Sequence, residues 1–112
     1  LIKMNKEFKV IDIGHQGYSI DRAITELEIA VSDSIFSGDI KAIKIIHGHG
    51  TGALKKGVRE WCDYQEGRFQ GVIYGEDYSL FNPLASNMRA DCGSPNDPDL
   101  ERKNGAITYI WL

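Results

Sequence analysis

Between Ile46 and Ala53 the chain reads His47-Gly48-His49-Gly50-Thr51-Gly52, proton-exchanging and hydroxyl side chains alternating with bare backbone. Glycines at this spacing permit turn angles and a close approach that a Cβ forbids, and N–H groups freed at the start of a following helix attract anions. Imidazole is the side chain that exchanges protons most readily near neutral pH. Lys55, Lys56 and Arg59 follow the turn, so a phosphate arriving there would meet both open amides and cations. The G-x-x-x-x-G-K-[ST] spacing of a nucleotide loop is absent, and G-x-G-x-G differs from the dinucleotide pattern G-x-G-x-x-G, so neither ATP nor NAD is expected. The backbone of a nucleic acid fits better, because turn amides and cations hold phosphates without reading sequence.

Asp12 and His15 form the second group of interest. Ligand crevices in parallel sheets lie outside the carboxyl ends of the strands, so two neighbouring strands would bring Asp12, His15, His47 and His49 to one rim. Each residue also has an ordinary role open to it: His47 as a hydrogen-bonded structural histidine, Asp12 as a loop anchor, the glycines as a plain turn, the bases as a solvated helix face. Three histidines and an aspartate could bind zinc, but the intervening glycines argue against it and no metal ligand is assigned. Neither cysteine reads as a nucleophile, since Cys62 falls on a core stripe and Cys92 lies in a loop beside Asp91 without a histidine. Tyr18, Tyr78 and Phe81 would stack on bases only if exposed.

The elements that must position these groups are legible as periodicities. Lys9 to Ile13 is a short β-branched run with Asp12 on the face opposite Ile11 and Ile13. Ser19 offers an N-cap to a helix whose apolar stripe is Ile20, Ile24, Leu27, Val31 and Ile35, and Gly38 supplies its left-handed stop. Ala42 to Ile46 is a second strand, the glycine turn leads into a helix over Ala53 to Gln65 with Leu54, Val58, Trp61 and Cys62 on its inner stripe, and Lys55, Lys56 and Arg59 fall on the wet side. Phe69 to Tyr74 and Ala106 to Leu112 read as two more strands, and the Pro-, Gly- and Asn-rich stretch at 76–105 as a long loop. The order βαβαββ predicts an α/β two-layer sandwich: a four-stranded mixed sheet, the first two strands parallel, with two helices on one face.

Length and composition set the outer bounds. With 112 residues, 42% of them hydrophobic and 26% charged, the chain suits a single folded domain over 1–112. No run suits a membrane span, Leu1 to Val10 carries four charges and does not read as a signal peptide, and the two cysteines show no metal or disulfide pattern; a cytoplasmic protein is expected. Opening on Leu1, the chain also fits a piece of a longer protein with further domains. The net charge is -3, yet Lys41, Lys44, Lys55, Lys56 and Arg59 occupy residues 40–59 without an acid, so a basic patch is expected in an otherwise acidic chain.

The stretch I-I-H-G-H-G-T-G-A-L-K-K-G-V-R-E-W resembles the H-G-x-G-T-G-x-L block of the small-MutS-related (Smr) domain family. I-D-I at 11–13, the helix with Ala23, and the closing G-A-I-T-Y-I-W-L resemble that family's opening and final strands. The resemblance implies a fold similar to the C-terminal domain of a bacterial translation initiation factor, and nucleic-acid binding with, in many members, endonuclease activity on DNA or RNA. Asp12 and His47 match the family's functional aspartate and histidine, Gly48 and Gly50 its glycine motif, and Lys55 a position that is usually basic. The sequence departs where the family histidine directly follows the aspartate-leucine pair: here Gly14 stands there, with His15 one later, or Gln16 in its place if Gly17 is the motif glycine.

The expected site therefore has Asp12, His15 and His47 as its catalytic set, and Gly48, His49, Gly50, Thr51, Gly52, Lys55, Lys56 and Arg59 on the polymer. An endonuclease is the leading reading. A non-catalytic module recruiting a larger protein to DNA, RNA or ribosomes is the alternative, and a small-molecule phosphate site a third. No cofactor is required by the sequence, and a divalent metal stays open.

Overall fold

In the computed structural model, residues 7–112 are described, so the first six residues of the stretch judged not to be a signal peptide lie outside them. The elements run β1 (Phe8–Asp12), α1 (Ile20–Ser37), β2 (Ala42–Ile46), α2 (Ala53–Asp63), β3 (Gly71–Tyr74), α3 (Pro83–Asp91) and β4 (Ile107–Trp111), with a 3-10 turn at Gly75–Asp77. The strands form one mixed sheet in the order β1-β2-β4-β3. β1 runs parallel to β2 with Asp12 opposite Ile46, and β4 runs antiparallel to both β2 and β3. The C-terminal ends of β1, β2 and β3 therefore share one rim with the start of β4.

Both faces of the sheet are covered. On one, Ile43 and Ile45 of β2 and Ile110 of β4 meet Ala23, Leu27 and Val31 of α1 and Val58 and Cys62 of α2. The stripe expected for α1 holds at its centre, while its ends Ile20 and Ile35 are each 44% exposed. Ser19 Oγ accepts from the Arg22 N–H at the start of α1, and Gly38, in the left-handed region at φ 73°, returns its N–H to Ser34 at the end. On the second face Ala42, Ile73, Ile107 and Tyr109 pack against Ala85 and Met88 of α3, with Tyr78 and Cys92 beside them.

Helix α3 lies in the stretch expected to be a loop at 76–105, and it sits on the face opposite α1 and α2. Asn82 and Pro83, which suggested a turn, start it: Asn82 Oδ1 accepts from the Leu84 and Ala85 N–H groups, and Pro83 sits where a missing N–H costs nothing. Cys92 is its buried C-cap rather than a loop thiol. Tyr78 is 1% exposed and stacks on Tyr109 with ring centroids 3.9 Å apart, so it is core and not available to a base. The segment is tied down by a buried ion cluster in which Lys44 Nζ lies 2.6 Å from Asp97 Oδ1 and also donates to Asp99, while the Tyr109 hydroxyl donates to Asp97. No helix among the described residues is long and apolar enough to cross a membrane.

Candidate nucleic-acid interface

Asp12 ends β1, and its carboxylate folds back over the turn that follows. Oδ1 accepts from the Gly14 N–H at 2.9 Å and the His15 N–H at 3.1 Å, while His15 Nδ1 lies 2.8 Å from Oδ2. Partial burial works to raise the Asp12 pKa, but the hydrogen bonds from the His15 ring and the two backbone N–H groups outweigh it and hold the carboxyl below its usual range. An ionised carboxylate only accepts, so Nδ1 is the donor and the far nitrogen, Nε2, is left to its surroundings on a side chain 67% exposed. The one-residue displacement of His15 from the family position still delivers an imidazole to the aspartate.

Gly14 is required by close approach: a Cβ there would stand 2.5 Å from the His47 carbonyl oxygen. Its N–H also donates to Ile46 O, which joins the turn after β1 to the turn after β2. Asp12, His15 and His47 therefore share the rim through their backbones. Their side chains do not meet: among the described residues no hydrogen bond or ion pair joins the Asp12–His15 pair to the His47 ring.

The His47 ring is 4% exposed and points toward β4. Nδ1 lies 2.9 Å from the Gly48 carbonyl, which only accepts, so Nδ1 carries the proton; Nε2, 2.9 Å from Thr108 Oγ1, then accepts from that hydroxyl. Thr108 in turn accepts from Arg59 Nε at 3.1 Å. Burial lowers the His47 pKa; its bond to Gly48 opposes this in part, the charges of Arg59 and Lys55 add to the lowering, Glu76 pulls slightly upward, and the net direction is down. The neutral ring is thus the folded form. Since the unfolded histidine takes up a proton near its ordinary value of 6.5 and the folded one resists, the unfolded state binds more protons and stability falls as pH drops below about 6.5. A melting temperature that declines from pH 7 to 5 in the native chain, and much less in His47→Gln, is the expected result; equal slopes would remove His47 as the cause.

Beyond His47 the glycine turn takes backbone angles that side chains resist, with φ of 76°, 44° and 86° at Gly48, Gly50 and Gly52. Gly52 is the N-cap of α2 and provides no side chain to cap it; Thr51 Oγ1 accepts from the Ala53 N–H at 3.3 Å instead. The first-turn amides of α2 face the rim with the exposed His49 and Thr51.

The basic patch is smaller than the sequence suggests. Lys44 is spent on the buried cluster, its side chain 7% exposed, and Lys41 stands before β2 at the end of the strand away from the rim. Arg59, expected on the wet side of α2, is instead mostly enclosed: it lies 3.9 Å over the Tyr74 ring and donates to Thr108, Ile107 O and the Glu76 carboxylate. Glu76 also accepts from Lys55 at 3.1 Å. Of the three bases on α2 only Lys56 is exposed, 3.9 Å from Glu60. Glu76 and Thr108 are the site residues that sequence reasoning missed. Alternation along β4 puts Thr108 on the same face as the core residue Ile110 and so marks it as a buried hydroxyl, but no local signal pairs Glu76 with a base on another element. Among the described residues no group of three or more His, Cys, Asp or Glu is placed to hold a metal ion.

A parallel β-α-β pair that carries a glycine turn, a helix start and an acid–imidazole pair on one rim defines an α/β domain with an anion-facing edge. Compared with known families, residues 15–71 match the Smr domain, and the chain belongs to that family. The match spans His15, the glycine turn and α2 and leaves Asp12, α3 and β4 outside. The endonuclease MutS2 of Brevibacillus brevis is 35% identical over 60 residues, 54% of this chain and 8% of that protein; that of Finegoldia magna is 42% identical over 59 residues, 53% and 7%. The chain thus spans less than a tenth of the length of these relatives. The crystal structure of the Smr domain of Thermus thermophilus MutS2 superposes with a TM-score of 0.59 over 93% of this chain and 96% of that one, at 20% identity, which establishes the shared fold.

Proposed function

We propose that this Smr domain binds DNA or RNA along the rim and cleaves its phosphodiester backbone, with Asp12 and His15 as the reacting pair. The observation that carries the reading is the Asp12–His15 contact of 2.8 Å beside a turn of open amides. Asp12 fixes the Nδ1–H tautomer and stabilises the imidazolium, so Nε2 takes the proton from an attacking hydroxyl. With RNA that hydroxyl is the neighbouring 2'-OH: its oxygen bonds to phosphorus to give a 2',3'-cyclic phosphate, the bond to the 5' oxygen breaks, that oxygen leaves with a proton from water, and no metal is needed to supply a nucleophile. His47 suits a different task. With both ring nitrogens engaged inside the fold, it positions the Gly48 peptide and Thr108 rather than exchanging protons. The turn from Gly48 to Gly52 and the bases Lys55, Lys56 and Arg59 would hold the phosphates, and the endonuclease name borne by the relatives favours cleavage. Two buried thiols suit a cytoplasmic setting.

The test is a cleavage assay on end-labelled single- and double-stranded DNA and RNA, with and without chelator. His15→Ala is expected to lower the rate by about 10²-fold or more, and Asp12→Asn by a comparable factor. Cleavage that persists unchanged in both variants would belong to a contaminant or to other residues, and would end the catalytic assignment. The enclosure of His47 and the partial neutralisation of the bases favour a second reading, a binding module without hydrolysis. In that case intact oligonucleotide binds in a salt-dependent way, and the Lys55→Ala, Lys56→Ala double variant flattens the salt slope by about 1–2.

A further inference from the structure

We propose that Lys55 and Arg59 form a ready-made seat for one backbone phosphate of the nucleic acid, and that the Glu76 carboxylate fills this seat in the free protein and must swing out when the polymer binds. The proposal rests on the nucleic-acid reading above and adds to it a specific phosphate position and its occupant.

The seat is built rather than incidental. Arg59 Nη2 and Nη1 grip the two Glu76 oxygens at 2.7 and 3.1 Å, a two-pronged geometry that a phosphate accepts as well as a carboxylate does, and Lys55 Nζ adds a third donor at 3.1 Å. The guanidinium does not depend on Glu76 for its position. Nε is held by Thr108, Nη2 also by the Ile107 carbonyl, and the plane rests on Tyr74. When the carboxylate leaves, the fork stays aimed. Room for the anion is kept by Gly105, where a Cβ would come within 3.0 Å of Lys55 Nζ and 3.4 Å of the Glu76 carboxyl.

Glu76 is suited to leave. Its side chain is 40% exposed, and it stands on a three-residue turn whose backbone is anchored elsewhere, Gly75 being packed too tightly against Asn104 to admit a Cβ. A change of rotamer is enough to open the seat. The bonds from Arg59, opposed by partial burial and assisted by Lys55, bring the Glu76 pKa down to about 2, so the occupant stays anionic at every physiological pH and competes with phosphate as one anion with another. The seat also adjoins the rest of the rim, because Arg59 shares Thr108 with His47.

Glu76→Gln keeps the shape and removes the competing charge. Asp77→Asn removes the same unit charge from the next residue, which is exposed and makes no contact with Lys55 or Arg59. Binding of the 112-residue chain to a fluorescent single-stranded RNA or DNA oligonucleotide is measured over a salt series, with inorganic phosphate as competitor. If the seat is free in about one molecule in ten, Glu76→Gln tightens binding about tenfold and steepens the salt slope by about 1. Asp77→Asn is expected to change affinity by less than about twofold, as a solvent-screened charge outside the seat should. Adding Arg59→Ala to Glu76→Gln abolishes the gain. Should Glu76→Gln unfold on a thermal melt, Glu76→Ala is read in its place.

A native chain that binds the oligonucleotide while Glu76→Gln binds no tighter overturns the seat and leaves the nucleic-acid reading standing. An equal gain from Asp77→Asn also overturns it, since that is charge at a distance. If neither the native chain nor Glu76→Gln binds any oligonucleotide, the nucleic-acid reading itself fails and the proposal goes with it. Competition by inorganic phosphate at concentrations that leave Glu76→Gln,Arg59→Ala unaffected places the anion on the fork.

Discussion

Replacing Lys44 with alanine is expected to cost about 3–5 kcal/mol of stability, the range found when one member of a buried ion pair is removed. The side chain reaches through the sheet face to Asp97, whose carboxylate is 1% exposed and out of reach of solvent, and to Asp99, which is 23% exposed. Burial alone would lower the lysine pKa, but its hydrogen bonds to the two carboxylates outweigh that and leave the net shift upward. The ammonium is therefore charged in the fold up to and beyond its ordinary value of 10.5, and the contribution it makes is lost only as pH rises past that. Urea unfolding at pH 7 measures the effect. A loss below about 1 kcal/mol would mean that the cluster is hydrated or mobile. The double change Lys44→Met, Asp97→Asn should recover part of the loss, because the fully buried acid is then neutral, while the Asp99 carboxylate keeps access to solvent.

Gly14→Ala is expected to destabilise by about 2–4 kcal/mol and to move the rim. The new methyl would stand 2.5 Å from the His47 oxygen, 2.6 Å from its carbonyl carbon and 3.1 Å from the Gly48 nitrogen, all of them backbone with no rotamer to yield. Relief requires the turn after β1 to lift from the turn after β2, which breaks the Gly14 bond to Ile46 O and carries His15 away from the glycine turn. Gly17→Ala is the useful contrast. It has open space but a φ of 68°, so it pays only for the left-handed backbone, about 1 kcal/mol. Unfolding free energies of the two variants, together with amide chemical shifts at residues 47–52, separate the steric from the conformational cost. A Gly14→Ala protein within 0.5 kcal/mol of the native chain, its turn shifts unchanged, would show that the two strand ends are not locked together.

What the sequence made legible was local. β-branched runs marked β1 and β2, the Ser19 and Gly38 caps bracketed α1, and a strand–glycine–helix order located the rim, because each depends on neighbours within a few positions. The parts that escaped depend on partners far along the chain. Lys44 reads as a cation in a basic window, and only Asp97 and Asp99, more than fifty residues on, turn it into a core residue. Arg59 reads as solvated until Tyr74, Glu76, Ile107 and Thr108 close around it. His47 follows β2 at the rim, yet its side chain turns inward to β4, a direction set by a hydroxyl sixty-one residues away. Helix α3 was missed for a different reason: the Asn82-Pro83 start that caps a helix has the same composition as a turn, and Leu84, Ala85 and Met88 give too short an apolar stripe to decide between them.

The long connection from β3 to β4 joins two antiparallel neighbours that a hairpin of two residues could have joined. Closure entropy rises only logarithmically with such a detour, so the sheet's register is indifferent to what is spliced in there. The detour thus gives the molecule two things a tight hairpin could not: a lid of side chains from α3 over the second face of the sheet, and a carboxylate, Glu76, delivered to the cations of α2.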